Sequence, residues 1–331
     1  MNKPFIIAEM SANHLGSIDR ARDIVMAAAA AGADAVKLQT WAPGMMCVRD
    51  YTIKTGPWAG MKLADLYAEA ETPWEWHEEL FELARQHGMI GFSSVFDLGA
   101  LDFLESIGCP MYKISSFEMA DTPLIQAVAQ TGKPMIISTG MASFDEIATA
   151  WAWAGSSGCK DITLLKCTSA YPASPAASNL RQMLKMRSAF GSDRTRIGLS
   201  DHTQGIGVAV AAVAMGATVI EKHLTLSRAD GGPDAGFSLE PNEFAQMVRE
   251  CNSAYEAAYL EEDQPQHTDL RRSVYLARDV EPGQPIMPED MVTARPNMGM
   301  PPGRMHWAIG KQHIQGGKAG QPLLETDLRK W

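Results

Sequence analysis

Short apolar runs alternate along the chain with longer stretches whose apolar positions recur at helical spacing. The first run, Phe5-Ile-Ile-Ala-Glu9, reads as a strand. Ser17 then caps a helix that carries Asp23-Ile-Val-Met-Ala27 and stops at Gly32. The same beat returns at Ala35-Val-Lys-Leu-Gln39, Met89-Ile-Gly-Phe-Ser93, Met111-Tyr-Lys-Ile114, Met135-Ile-Ile-Ser138, Ile162-Thr-Leu-Leu-Lys166, Arg196-Ile-Gly-Leu199 and Thr218-Val-Ile-Glu221. Helix signals lie between these runs. Thr72-Pro73-Trp74-Glu75 and Ser143-Phe-Asp-Glu146 are capping boxes, Thr122-Pro123 puts Pro in a first turn, and 99–107, 179–188, 207–215 and 241–260 are helical in pattern. Eight strand–helix repeats in about 260 residues predict an α/β chain closed into a (β/α)8 TIM barrel. A doubly wound open sheet fits less well, because no G-x-G-x-x-G follows the first strand.

The rhythm ends near residue 260. Glu261-Glu-Asp-Gln-Pro-Gln-His267 is polar, contains Pro and has no periodicity, so 261–272 reads as a linker. Ser273-Val-Tyr-Leu-Ala-Arg278 alternates like a strand. Glu281-Pro-Gly283, Gly316-Gly317 and Ala319-Gly-Gln-Pro322 then punctuate short segments. The expected organisation is a barrel over 1–260 and a small β-rich domain over 273–331.

Charge sharpens that boundary. The net charge is −10, which opposes nonspecific nucleic-acid binding. Residues 270–331 hold 9 Lys+Arg against 6 Asp+Glu, a net of +3, which leaves −13 for the rest. The step suits complementary docking, although chance variation in a short tail explains it equally well. With 46% apolar and 21% charged residues, the chain reads as a soluble folded protein. Its five cysteines are scattered and form no C-x-x-C, so free thiols in a reducing cytoplasm are expected. The apolar run 5–8 is too short for a signal peptide, and no run of about 18 apolar residues suggests a membrane span.

Barrel sites sit at the C-terminal ends of the strands. There the chain carries Glu9 with Asn13 and His14, Lys37 and Gln39, Ser93 and Ser94, Lys113 with Ser115, Ser116 and Glu118, Ser138-Thr139-Gly140, Lys166 and Thr168, Ser200-Asp201-His202, and Glu221-Lys222-His223. His202 and His223, on adjacent strand ends, are the metal candidates, with His14 a third ligand or a supporting group. Two protein ligands leave coordination positions open for catalysis. Lys37, Lys113 and Lys166 suit a phosphate or carboxylate. Interior ion pairs with Glu9, Glu118 and Glu221 are their plainer role. Ser138-Thr139-Gly140 and Ser200 offer donors for an anion, and capping explains them too. Cys167, between Lys166 and Thr168, is expected to point away from the site. Asp230-Gly-Gly-Pro-Asp234 reads as a lid, or as a plain turn.

These residues carry a resemblance. Ala8-Glu-Met-Ser-Ala-Asn-His-Leu-Gly16, Val36-Lys-Leu-Gln-Thr40, Tyr112-Lys-Ile-Ser-Ser-Phe-Glu118, Ser138-Thr-Gly-Met141, Leu165-Lys-Cys-Thr-Ser-Ala-Tyr-Pro172, Gly198-Leu-Ser-Asp-His-Thr203 and Ile220-Glu-Lys-His-Leu-Thr225 together resemble the sialic acid synthase family. The tail, with Arg278-Asp-Val-Glu-Pro-Gly283 and Ala294-Arg-Pro296, resembles that family's antifreeze-like (SAF) domain. Thr72-Pro-Trp-Glu-Trp-His77, Lys166-Cys-Thr-Ser-Ala-Tyr-Pro172 and Asp230-Gly-Gly-Pro-Asp-Ala-Gly-Phe-Ser-Leu-Glu240 look closest to the pseudaminic acid branch.

The resemblance implies condensation of phosphoenolpyruvate with an open-chain 2,4-diacetamido-6-deoxy hexose, giving a nine-carbon 2-keto acid and phosphate. The alternative is an N-acetylneuraminate or legionaminate synthase using an N-acetylmannosamine-type sugar. By analogy Lys37, Lys113, Ser116, Ser138 and Ser200 hold phosphoenolpyruvate. A divalent cation, Mn²⁺ or Mg²⁺, sits on His202 and His223. Glu118 handles the proton of the added water. Glu9, Gln39, Tyr171 and Asp234 contact the sugar, with Lys166 and Glu221 lining the site. Arg295 reaches across from a partner protomer in a domain-swapped homodimer. A non-catalytic carbohydrate- or ice-binding protein is the opposing reading, and the strand-end lysines, glutamates and histidines argue against it.

Overall fold

The computed structural model describes residues 3–41, 44–47, 50–261 and 267–329. The chain divides into two compact units, Met1–Leu260 and Glu261–Trp331. Part of the expected linker, 262–266, lies outside the described residues.

In the first unit eight strands close into a parallel barrel in chain order. They are β1 (Phe5–Glu9), β2 (Ala35–Thr40), β3 (Ile90–Val95), β4 (Tyr112–Ile114), β5 (Met135–Ser138), β6 (Ile162–Cys167), β7 (Thr195–Asp201) and β8 (Val219–His223). The ring shuts where Glu9 of β1 pairs with His223 of β8. Strands of a barrel jacketed by helices are buried on both faces, so they read as continuous apolar runs. β4, β5, β6 and β8 are buried at every position. Gly198 lets β7 and β8 approach: a Cβ there would stand 2.3 Å from the Val219 carbonyl oxygen.

The helices are α1 (Ile18–Ala30), α2 (Leu63–Ala70), α3 (His77–Gln86), α4 (Leu98–Ser106), α5 (Thr122–Gln130), α6 (Phe144–Ser156), α7 (Arg181–Phe190), α8 (Gly207–Ala214) and α9 (Pro241–Tyr259). Their starts show the local chemistry that sets them. Ser17 accepts from the Arg20 amide, Asp97 from Ala100, and Ser143 and Glu146 close a reciprocal capping box. The expected box at Thr72 does not form. Thr72 Oγ1 lies 3.3 Å from His14 Nε2, and the chain makes a 3-10 turn over Trp74–Trp76 before α3 begins. A side chain spent on a tertiary partner cannot cap its own helix.

That exchange carries a prediction. His14 and His77 are both fully buried. His77 Nε2 lies 2.7 Å from Thr40 Oγ1, and its Nδ1 lies 3.2 Å from the Pro73 carbonyl. Burial pushes both imidazoles down to about 4. The unfolded chain therefore takes up two protons, as pH falls through 6.5, that the native state refuses until about pH 4. Stability should fall over that window by roughly 3 kcal/mol for each ring. The two imidazole resonances should stay neutral from pH 7 to 5; ordinary titration near 6.5 overturns the prediction.

The second unit has its own core of Val274, Leu276, Val280, Ile286, Met300, Leu323 and neighbours. β9 (Ser273–Leu276) pairs antiparallel with β10 (Met291–Ala294), and α10 spans Met305–Ala308. Asp290, fully buried, accepts from Arg278 Nε and from the Met287 amide. Among the described residues no helix is long and apolar enough to cross a membrane.

Candidate active site

A cavity of about 560 Å³ is lined by residues from the C-terminal ends of the barrel strands and the loops beyond them. Alternation on β2 sends Lys37 and Gln39 to the same side, and both line it. Lys37 Nζ pairs with Glu9, lies 3.8 Å from Glu221 Oε2 and donates to Ser94 Oγ at 2.8 Å. Lys113 Nζ stands 3.5 Å from Glu221 Oε1, which also accepts from Ser200 Oγ at 2.9 Å. Two lysines and two glutamates, each nearly fully buried, thus share the floor of the cavity.

Burial alone would neutralise such charges. Burial raises the Glu221 carboxyl, but Lys113 and Lys37 outweigh it and hold the group at about 2. Glu9 is dominated by burial and rises to about 7, with Lys37 opposing. Burial also works against the charge on Lys37, yet Glu221 and Glu9 win and its pKa is raised. Lys113 is pulled below the usual lysine range by burial. The floor is self-neutralised without a ligand and still presents cationic donors to an anion.

Hydroxyls and one amide complete this wall. The Gly140 amide donates to Ser116 Oγ at 3.0 Å, and Ser138 Oγ is buried with no partner among the described residues. A Cβ on Gly140 would stand 2.2 Å from Ser169 Oγ and 2.8 Å from Ser116 Oγ, so any other residue here must push those hydroxyls aside. Glu118 accepts from Ser115 Oγ, and burial raises its carboxyl.

His202 and His223 line the same cavity with ring centroids 5.3 Å apart. His202 Nδ1 faces the Thr168 carbonyl at 3.0 Å. A carbonyl only accepts, so Nδ1 carries the proton and Nε2 keeps a lone pair in the neutral ring. His223 Nδ1 is buried without a hydrogen-bond partner, and burial holds that imidazole neutral, well below its ordinary range. Burial works against a charge on His202, but Cys167 outweighs it and its pKa is raised. In its neutral form that ring offers Nε2, and with the orphaned buried nitrogen of His223 the pair fits a divalent cation. Among the described residues no cluster of three or more His, Cys, Asp or Glu adds a further ligand.

Three expectations change. Lys166 does not line the cavity; its Nζ donates to the Cys167 carbonyl at 2.5 Å and to Thr168 Oγ1 at 3.1 Å. Cys167 takes the inward position instead, with Sγ 3.8 Å from His202 Nδ1. Adjacent strand residues face opposite ways, so one shift of parity exchanges both assignments. His14 is not a third ligand. Its Nδ1 accepts from the Gly16 amide at 3.0 Å and its Nε2 meets Thr72.

Gln39, Ser116, Tyr171 and Asp234 all line the cavity. Asp234 accepts from Ser11 Oγ, and the Tyr171 ring lies 4.4 Å from that of His202. Arg295 belongs to the second unit and is exposed. Sequence reasoning missed Ser11, Ser169 and the wall formed by 51–67. Ser11 was findable, two residues beyond Glu9 at a strand end.

The NeuB family model matches residues 24–262. The chain belongs to the NeuB family. It is 38% identical to the pseudaminic acid synthase of Helicobacter pylori, over all of this chain and 99% of that protein. It is 36% identical to the N,N'-diacetyllegionaminic acid synthase of Legionella pneumophila, over 97% of this chain and 93% of that one. The N-acetylneuraminic acid synthetase of Leptospira borgpetersenii, solved in complex with citrate, superposes with a TM-score of 0.72 at 31% identity. That match covers 81% of this chain and 89% of the other. This NeuB-family barrel therefore presents its paired lysines and paired histidines in one cavity.

Proposed function

We propose that the protein condenses phosphoenolpyruvate with an open-chain 2,4-diacetamido-6-deoxy hexose, yielding pseudaminic acid and phosphate. The observation that carries this reading is the convergence of Lys37, Lys113, Ser138 and Ser200 beside His202 and His223. It occurs in a chain matched end to end by a pseudaminic acid synthase. Phosphoenolpyruvate is a multiply charged anion, and this floor supplies fixed ammonium and hydroxyl donors for it. Its alkene C3 attacks the sugar aldehyde carbon, water adds at C2, and the tetrahedral centre expels phosphate. Glu118, with its raised carboxyl, takes the proton of that water, while Gln39, Tyr171 and Asp234 hold the sugar. His202 and His223 would hold Mn²⁺ or Mg²⁺, which supplies Lewis acidity toward the aldehyde oxygen.

We read the second unit as the antifreeze-like domain. In a domain-swapped homodimer it covers the partner's barrel mouth and brings Arg295 to the sugar. The charge of +3 on residues 270–331, against −13 for the remainder, supports that docking. The cytoplasm is the compartment that supplies phosphoenolpyruvate.

The test is phosphate release with a panel of amino sugars, with and without chelator. Release with the 2,4-diacetamido-6-deoxy hexose and not with N-acetylmannosamine supports the reading. The reverse preference establishes the neuraminate alternative. A second measurement probes the anion wall. Gly140→Ala should raise the KM for phosphoenolpyruvate about tenfold or more, because the new methyl displaces Ser116 and Ser169. An unchanged KM removes that wall from phosphoenolpyruvate binding.

A further inference from the structure

Residues 51–63, between β2 and α2, form a self-braced arm. The Ile53 amide donates to the Met61 carbonyl and Gly60 donates back to Ile53, each at 2.9 Å, while Leu63 donates to Tyr51 at 2.8 Å. Lys62 and Asp50 add an ion pair at 3.2 Å. The arm crosses to the far loops through Trp58. Its indole Nε1 donates to the Pro233 carbonyl at 3.0 Å, and its ring lies 5.2 Å from that of Tyr171. Pro233 sits in the loop after β8 and Tyr171 in the loop after β6, so one side chain joins three loops around the mouth.

The wall this arm and α2 give the cavity is mostly apolar, with the hydroxyls of Tyr51, Thr55 and Tyr67 its few polar side-chain groups. Tyr51, Ile53, Trp58, Leu63, Leu66 and Tyr67 line it, opposite a floor of lysines and carboxylates. An occupant must therefore have an anionic or hydroxylated end and an apolar end. A polyhydroxylated sugar would leave more of its hydroxyls without partners on so apolar a wall than a deoxy sugar, whose methyl groups would bury there.

We propose that Trp58 is a specificity-determining residue that latches the arm and packs its indole on the acetamido or C6 methyl groups of a deoxy amino sugar. This rests on the condensation reading above. Trp58 touches neither the lysines nor the histidines in any described contact, so its effect should fall on sugar choice.

The experiment compares wild type, Trp58→Ala and Trp58→Phe. It uses the 2,4-diacetamido-6-deoxy hexose and N-acetylmannosamine as substrates, together with the KM for phosphoenolpyruvate. In Trp58→Ala the preference in kcat/KM for the deoxy sugar should fall about tenfold or more, as for a lost apolar contact. The KM for phosphoenolpyruvate should stay within about twofold. Trp58→Phe keeps a ring beside Tyr171 and should retain the larger share of the preference. Hydrogen exchange at 51–63 and 231–236 should rise together in Trp58→Ala. An unchanged preference, parallel losses for both sugars and phosphoenolpyruvate, or exchange that rises at neither segment overturns the proposal. If wild type turns over neither sugar, the condensation reading itself fails and this inference falls with it. If wild type uses the deoxy sugar and the variant keeps its preference, only the role of Trp58 fails.

Discussion

His202→Ala should lose phosphate release from phosphoenolpyruvate by about a hundredfold or more while the barrel stays folded. The ring is one of two imidazoles available to a cation in this cavity, and its orientation is fixed through Nδ1 by the Thr168 carbonyl. Lewis-acid stabilisation of a developing alkoxide is worth several kcal/mol, and each ~1.4 kcal/mol is a factor of ten. If His202 and His223 hold the cation as proposed, removing one would also weaken its binding, so Mn²⁺ titration followed by electron paramagnetic resonance should show a lost or far weaker site. The Lys37 and Lys113 floor is untouched by the change, and phosphoenolpyruvate should still bind. A folded His202→Ala variant with turnover within about tenfold of wild type would remove the histidine pair from the chemistry.

Lys222→Met should cost about 3–5 kcal/mol of folding stability. Lys222 and Asp201 are register partners on β8 and β7, and their ion pair at 2.7 Å is 0% and 1% exposed. Lys222 also donates to the Thr203 carbonyl, and Asp201 Oδ1 accepts from the Thr203 amide at 2.9 Å and hydroxyl at 2.8 Å. Deleting the ammonium leaves a carboxylate buried with one face unpaired, the expensive way to break such a pair. Pairing Lys222→Met with Asp201→Asn removes both charges and should restore part of the loss. Urea unfolding at pH 7 gives both numbers. A cost below about 1 kcal/mol, the size of an exposed pair, overturns the argument. The pair matters beyond stability because it ties together the residues immediately before His202 and His223.

Much of the barrel was legible in the chain. Eight apolar runs with helix signals between them suffice when each strand is buried on both faces and each connection is a helix. The same double burial hides the fine detail. In Leu164-Leu-Lys-Cys-Thr168 the apolar run gives no period of two, so nothing tells an inward Lys166 from an inward Cys167. On β2, by contrast, Lys37 and Gln39 interrupt the run two residues apart, and their shared face follows. The arm 51–63 was invisible because its order comes from backbone hydrogen bonds and one indole reaching loops more than a hundred positions away. No local pattern encodes a contact of that range. His14 misled for the opposite reason. A histidine beside a strand end looks like a ligand until its Thr72 and Gly16 partners are known.

The arm's internal hydrogen bonds join 51–63 to itself, and the ring of strand pairings in the barrel runs on without it. The strand register that sets Lys37, Lys113 and the two histidines does not depend on the arm, which meets the site's surroundings through Trp58 and Tyr171. On the proposed role of Trp58, bond formation and the choice of sugar rest on separate parts of this chain.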